Sequence, residues 1–208
     1  MLYTETIDKT TLVLLKSLQS RDYLKNFLLV GGTALALYTG HRKSIDLDLF
    51  SCLDFNSADL LEQLHQDYDY QIYHSAKNTL KGKIKQINVD FLAHRYPLID
   101  KINTTKKFRL ISEKDIVAMK LNAIATSGQR SKDFIDVYFL LEKYRMAKML
   151  EFYSNKYRQS NNTQILKSLI YFDDVDLSDW PVLIKEPNLK WQNVKKRIEE
   201  RVLELLAI

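Results

Sequence analysis

In residues 27–50, FLLVGGTALALYTGHRKSIDLDLF, a short apolar run is cut by Gly31-Gly32, an apolar segment able to form one helix follows, and residues 44–50 alternate between apolar and polar. The pattern predicts strand, tight turn, helix, strand. In the second strand Ile45, Leu47 and Leu49 point to one face and Asp46 and Asp48 together to the other, because side chains alternate along a strand. Upstream, Ile7, Leu12, Leu14, Leu15 and Leu18 recur at helical spacing, which predicts an amphipathic helix over 4–20. Downstream, Asn56-Ser57 followed by Leu60, Leu61 and Leu64 predicts a capped helix within 54–68. Residues 68–75 alternate with aromatics and read as a strand, 80–83 (LKGK) as a turn or bulge, and 84–94 as a second strand with Ile87, Val89 and Phe91 on one face. That strand carries Asp90 on its polar face, where a solvated edge-strand carboxylate is the bland alternative to a role in the site.

From Ser112 the period becomes helical. Ser112-Glu113-Lys114-Asp115 resembles a capping box with Asp in the place of Glu, and it opens an apolar helix interrupted by Lys120. Residues 132–144 form a second apolar helix interrupted by Asp133 and Asp136, which share a face. Helices are predicted at 146–157, 163–171 and 191–206, and a loop at 173–187, where Asp clusters with proline. The chain therefore reads as α+β (mixed α/β): a mixed sheet flanked by helices over 1–108, then a helical lobe over 109–208.

Composition narrows the setting more than the chemistry. Five glycines and three prolines in 208 residues argue against disorder and long linkers. The net charge of +5 favours a polyanionic partner such as RNA or nucleotide without requiring one. A single cysteine, Cys52, excludes an intrachain disulfide and a cysteine-rich zinc site, and suits a reducing cytoplasm. No basic leader precedes an apolar core segment and no eighteen apolar residues run together, so neither secretion nor a membrane span is expected. The four histidines lack metal-ligand spacing, and the acidic run from Asp173 to Asp179 lacks the glycine and terminal glutamate of a calcium loop.

Asp46 and Asp48 carry the candidate chemistry. Two carboxylates roughly 6 to 7 Å apart on one strand face repel unless a cation lies between them. A hard divalent ion, Mg²⁺ foremost, suits a few carboxylates plus substrate phosphate oxygens. Gly31-Gly32 lets backbone approach a phosphate, and the following helix N-terminus offers free N–H groups to an anion. Lys120 and Asp136, ionisable groups inside apolar helices, admit two accounts that can both hold. They pair across packed helices, or Lys120 reaches a triphosphate while Asp136 orients it. Arg42, Arg130 and Lys132 add positive charge that contacts substrate or is solvated.

The glycine pair, thirteen residues (33–45), then Asp46-Leu47-Asp48, resembles the signature of the DNA polymerase β-like nucleotidyltransferase superfamily. The fuller text GGTALALYTGHRKSIDLDLF, with the later KLNAIATSGQRSKDFIDVYFLL, is similar to the AbiEii/AbiGii-type abortive-infection toxins, bacterial proteins often encoded beside an antitoxin. The resemblance implies a polymerase β-like core and a metal site of Asp46, Asp48 and Asp90 holding two Mg²⁺ ions, with Mn²⁺ as a substitute. It implies Lys120 and Asp136 as further catalytic residues, and Gly31, Gly32, Thr33, Arg42, Ser44 and Lys120 as nucleotide-binding. The expected reaction moves NMP from an NTP to an RNA, such as a tRNA 3′ end, or to a protein hydroxyl, in a cytoplasmic toxin with a cognate antitoxin and no membrane partner. Two other readings stand beside it: a non-catalytic nucleotide-binding module, and an aminoglycoside-type small-molecule nucleotidyltransferase. The latter would need an acidic pocket, against the basic balance of this chain.

Overall fold

The computed structural model describes residues 2–105 and 108–207. Among them, seven strands form one mixed sheet in the order β3-β4-β5-β2-β1-β7-β6, with helices packed on it. The strands are β1 (Phe27–Leu29), β2 (Leu47–Ser51), β3 (Tyr70–Ala76), β4 (Thr79–Ile84), β5 (Ile87–Ala93), β6 (Asn103–Thr104) and β7 (Arg109–Leu110). The helices are α1 (Lys9–Gln19), α2 (Gly31–Thr39), α3 (Ser57–Asp67), α4 (Glu113–Thr126), α5 (Ser131–Leu140), α6 (Met146–Tyr157), α7 (Thr163–Leu169) and α8 (Trp191–Leu206).

The topology at the centre sets everything near the site. β2 pairs antiparallel with β1 on one side and parallel with β5 on the other. A parallel neighbour cannot be reached by a tight turn, so the chain leaves β2 through α3 and the β3–β4 hairpin before returning as β5. The parallel pair puts Asp48 directly opposite Asp90. Leu29, Leu47, Leu49, Val89 and Phe91 fill the other face and belong to one core that also takes in Leu35, Leu121, Phe134 and Ile135. Burying that apolar surface is the main term holding the helices to the sheet. β7 pairs in parallel with β1, Leu29 opposite Leu110, so the sheet is completed just before α4 begins.

Several local expectations need correcting. The LKGK segment 80–83 is no turn: Leu80, Gly82 and Ile84 face inward along β4, and Gly82 leaves space for the Tyr70 ring, which a Cβ would approach to 2.5 Å. The turns fall on either side, with Asn78 and Lys85 at φ of 59° and 56°. Residues 44–46 precede β2 rather than joining it, and Ile45 is exposed where an inward position was expected. The first helix is broken. A 3-10 turn at Thr4–Thr6 comes before α1, whose N-cap is Asp8, accepting the Thr11 N–H at 2.8 Å. Ser112 caps α4 as expected, but the Asp115 carboxylate turns inward to the backbone N–H groups of Ile99 and Asp100 and to the buried Lys156 ammonium at 2.7 Å. Among the described residues no helix is long and apolar enough to cross a membrane.

Candidate active site

Gly31 makes the first turn of α2 at φ +68°, in the left-handed region that side chains avoid, and the reason is steric. A Cβ there would stand 2.3 Å from Asp48 Oδ2. The turn thus presses bare backbone against the carboxylate at the centre of β2. Asp90 faces Asp48 from β5, and its Oδ1 accepts the Tyr73 hydroxyl at 2.9 Å while Lys81 lies 3.7 Å from Oδ2. Burial and the neighbouring Asp90 push the Tyr73 phenol up to about 12, so it remains a donor. Asp46 sits just ahead of the strand, and its Oδ1 accepts the Asn88 side-chain amide at 3.0 Å.

Burial, then Asp90, then Asp46 push the Asp48 carboxyl up to about 6, against the opposing pull of Lys120 and Arg130. A carboxylate whose ionisation is opposed by two others marks a place short of positive charge. Among the described residues no three Asp, Glu, His or Cys side chains close tightly enough to enclose a metal by themselves. Hard oxygen donors that leave most of an ion's shell open suit Mg²⁺, which keeps water and substrate oxygens, better than a closed structural site. The donor set fits the ion.

Behind Gly32 lies a buried charge network that joins the two halves of the sequence. Asp136 of α5 accepts Arg42 Nε at 2.7 Å, Arg42 Nη2 at 3.0 Å, His41 Nε2 at 2.7 Å and Lys120 Nζ at 2.7 Å. Lys120 also donates to Asp133 Oδ1 at 2.6 Å. Burial alone would raise the Asp136 carboxyl, but Arg42 and Lys120 outweigh it and hold it well below the usual range. Burial alone would likewise lower Lys120, yet Asp133 and Asp136 keep it above the ordinary lysine value. His41 is lowered by its burial despite Asp136, so it sits there neutral. Two cations face two anions, which is how such groups tolerate the interior. The expected pairing of Lys120 with Asp136 is present, and Lys120 retains one donor beyond its two carboxylates.

Arg42 is buried, with its guanidinium over Gly32 and committed to Asp136. Thr33 is buried too, and its hydroxyl bonds the Asp46 carbonyl and the Ser44 hydroxyl, pinning residues 44–46 to α2. Gly31, Gly32, Asp46, Asp48, Ser44 and Lys120 all line open space. A cavity of about 250 Å³ runs from Asp46 and Asp48 past Arg42, Lys43, Arg130 and Lys132 to Trp180, Pro181 and Val182. A second, of about 270 Å³, also reaches Asp48 and is lined by Phe50, His94, Met119, Lys120, Asn122 and Tyr157. The two share Gly32, Asp48 and Arg130.

Sequence reasoning missed the Trp180–Val182 wall, the His41 and Arg42 contributions to Asp136, and the aromatic lining of the second cavity. The one available signal was a Trp-Pro pair inside an otherwise acidic loop.

Comparisons with known proteins address the family and the fold. A family model described as "Nucleotidyl transferase AbiEii toxin, Type IV TA system" matches residues 13–97 and 73–204. "Uncharacterized protein aq_aa25" from Aquifex aeolicus (strain VF5) is 31% identical over 198 residues, covering 92% of this chain and 94% of that protein. The structure of MenT4, a nucleotidyltransferase toxin from Mycobacterium tuberculosis H37Rv, superposes with a TM-score of 0.61 at 13% identity, covering 95% of this chain and 85% of that one. JHP933 from Helicobacter pylori gives 0.56 at 17% identity, covering 96% and 93%. At those identities the two structures speak for the fold, and the family model and the Aquifex relative speak for the family. With the glycine turn, the paired aspartates and matches over nearly the whole length, the chain is a nucleotidyltransferase and belongs to the AbiEii toxin family.

Proposed function

We propose that the protein transfers a nucleoside monophosphate from an NTP to an RNA hydroxyl, such as a tRNA 3′ end, or to a protein hydroxyl, with Asp46, Asp48 and Asp90 holding Mg²⁺. The observation that carries this reading is the register of β2 on β5, which sets Asp90 beside Asp48, the carboxylate that lines both cavities. A group transfer needs two substrates to meet at one charged point, and the two cavities supply an approach for each. When bound, Mg²⁺ neutralises the triphosphate and the departing pyrophosphate, and Mn²⁺ can stand in for it.

The chain's own residues do the rest. Gly31 and Gly32 let the backbone and the start of α2 lie against phosphate oxygens. Lys120, oriented by Asp133 and Asp136, directs its remaining N–H at the second cavity as a fixed positive charge. Asp90 takes the proton of the acceptor hydroxyl as that oxygen bonds to the α-phosphorus. The bond from the α-phosphorus to the bridging oxygen breaks, and pyrophosphate leaves. Thr33, Ser44 and Arg42 act at one remove by fixing the loop that carries Asp46 and the network behind Gly32. A cytoplasmic location and a cognate antitoxin encoded nearby complete the reading.

Incubating the protein with Mg²⁺, each α-labelled NTP and either total RNA or cell lysate tests it directly. Label should enter one fraction with the wild type and neither with Asp48→Ala. Equal labelling by both proteins overturns the assignment.

A further inference from the structure

The segment 172–187 is a strap laid over the rim of the basic cavity and latched there by backbone hydrogen bonds at three places and by one ion pair. The Lys43 N–H donates to the Val182 carbonyl at 2.8 Å, and the N–H groups of Ile184 and Lys185 both donate to the His41 carbonyl, at 2.8 and 3.0 Å. At the other end the Asp176 N–H donates to the Gln129 carbonyl at 2.8 Å. Between these, Asp179 Oδ1 meets Lys132 Nζ at 2.6 Å. The strap therefore holds Trp180, Pro181 and Val182 in the same cavity wall as Asp46 and Asp48.

Trp180 is only partly buried, and Trp191 backs it edge-on with ring centroids 6.4 Å apart at 88°. Trp191 is itself packed edge-on against Phe134 and Phe172, so the platform has a rigid foundation. Beside it Ile45 and Val182 stand 56% and 70% exposed, an apolar lip next to the exposed cations Lys43 and Arg130. An aromatic side chain next to cations, lining the same cavity as Asp46 and Asp48, is the combination that holds a nucleobase by stacking while its phosphates are neutralised.

We propose that Trp180 is a stacking platform for a nucleobase in the basic cavity, making the strap a determinant of substrate affinity. This rests on reading the cavity beside Asp48 as a nucleotide-handling site. The base comes either from the incoming nucleotide or from the end of a single-stranded RNA acceptor, since both present the same π-face.

The test compares wild type, Trp180→Ala, Trp180→Phe and Trp180→Leu by calorimetric titration, with Asp48 intact and no turnover. Three ligands are used: an α,β-methylene nucleoside triphosphate, inorganic triphosphate, and a short single-stranded RNA. At least one base-bearing ligand should bind about tenfold more weakly to Trp180→Ala, with Trp180→Phe restoring most of the loss and inorganic triphosphate unchanged. The ligand that loses affinity identifies the source of the base. Trp180→Leu fills the space over Trp191 without a π-face, so it should bind like the alanine variant while melting like the wild type. If both base-bearing ligands keep wild-type affinity in Trp180→Ala and Trp180→Leu, the platform is refuted. An equal loss for inorganic triphosphate refutes it too, because the strap has then merely moved. The titrations require no transfer, so an active Asp48→Ala protein would sink the proposed reaction and leave this binding result standing.

Discussion

Replacing Gly31 with alanine separates the placement of the Asp48 carboxylate from the stability of the fold. At φ +68° an L side chain costs about 1–2 kcal/mol. The new Cβ would also stand 2.3 Å from Asp48 Oδ2 and 3.2 Å from Cγ, a contact that cannot persist. The carboxylate must swing away, at about 0.5–1.5 kcal/mol for a side chain pushed roughly 30° off its rotamer. The sum is about 1.5–3.5 kcal/mol of stability, and a displacement on the order of 1 Å at a reacting centre costs about 100-fold in rate. Gly40→Ala is the matched control. It has the same backbone penalty at φ +70°, and its Cβ meets the Tyr3 ring at 2.8 Å, but Tyr3 is 43% exposed and can give way. Urea unfolding should show Gly31→Ala weakened by about 1.5–3.5 kcal/mol and Gly40→Ala by about 1–2 kcal/mol. NMP transfer should fall at least 100-fold in Gly31→Ala and stay within a few-fold of wild type in Gly40→Ala. Similar activity loss in the two variants would trace the effect to stability, and an undiminished Gly31→Ala would show that the close approach to Asp48 is immaterial.

Three further outcomes follow from the charges. Mg²⁺ should raise the melting temperature of the wild type at pH 7.5 but not that of Asp48→Asn. Because Asp48 titrates near 6, above its unfolded value, the penalty of its ionised form is absent below about pH 4 and complete above pH 6. The Mg²⁺ increment should therefore shrink at pH 5, and an equal increment in the asparagine variant would rule out this carboxylate as the ion's anchor. Asp136→Ala removes the carboxylate that Arg42 pairs with and leaves Lys120 with Asp133, and should cost about 3–5 kcal/mol in denaturant titration. A loss below 1 kcal/mol would mean that water replaces the carboxylate. Burial lowers His94 to about 4, so its folded pKa lies below the unfolded value of about 6.5. As pH falls from 6.5 to 4 the unfolded chain takes up a proton that the native state refuses, and stability drops by up to about 2 kcal/mol after discounting partial exposure. His94→Phe should abolish that part of the acid slope in a pH series of melts, and an unaltered slope would clear His94 of the effect.

What could be read before folding, and what could not, divides by the distance over which each feature is decided. Helices α6 and α8 end where their apolar periods end, since a local 3.6-residue pattern carries its own boundaries. The polar faces bearing Asp48 and Asp90 were legible for the same reason, as was the pairing of Lys120 with Asp136 on helices close in sequence. The LKGK misreading arose because Gly82 answers to a ring twelve residues upstream rather than to its neighbours. Arg42 and His41 find Asp136 from 94 and 95 residues away, and Tyr73 finds Asp90 across a bulged hairpin. No local pattern announces such partners. The strap was least legible, because its role comes entirely from where other elements hold it.

The tie from His41 and Arg42 to Asp136, and from His41 and Lys43 to residues 182–185, also sets the order in which the loop behind the glycine turn can be completed. During synthesis the glycine turn and all three aspartates have emerged by residue 90, yet the loop behind them lacks its carboxylate until α5 is made and its cover until the strap arrives. A nascent fragment ending before α5 therefore carries the glycine turn and the three aspartates beside a loop that still lacks both its buried anchor and its cover.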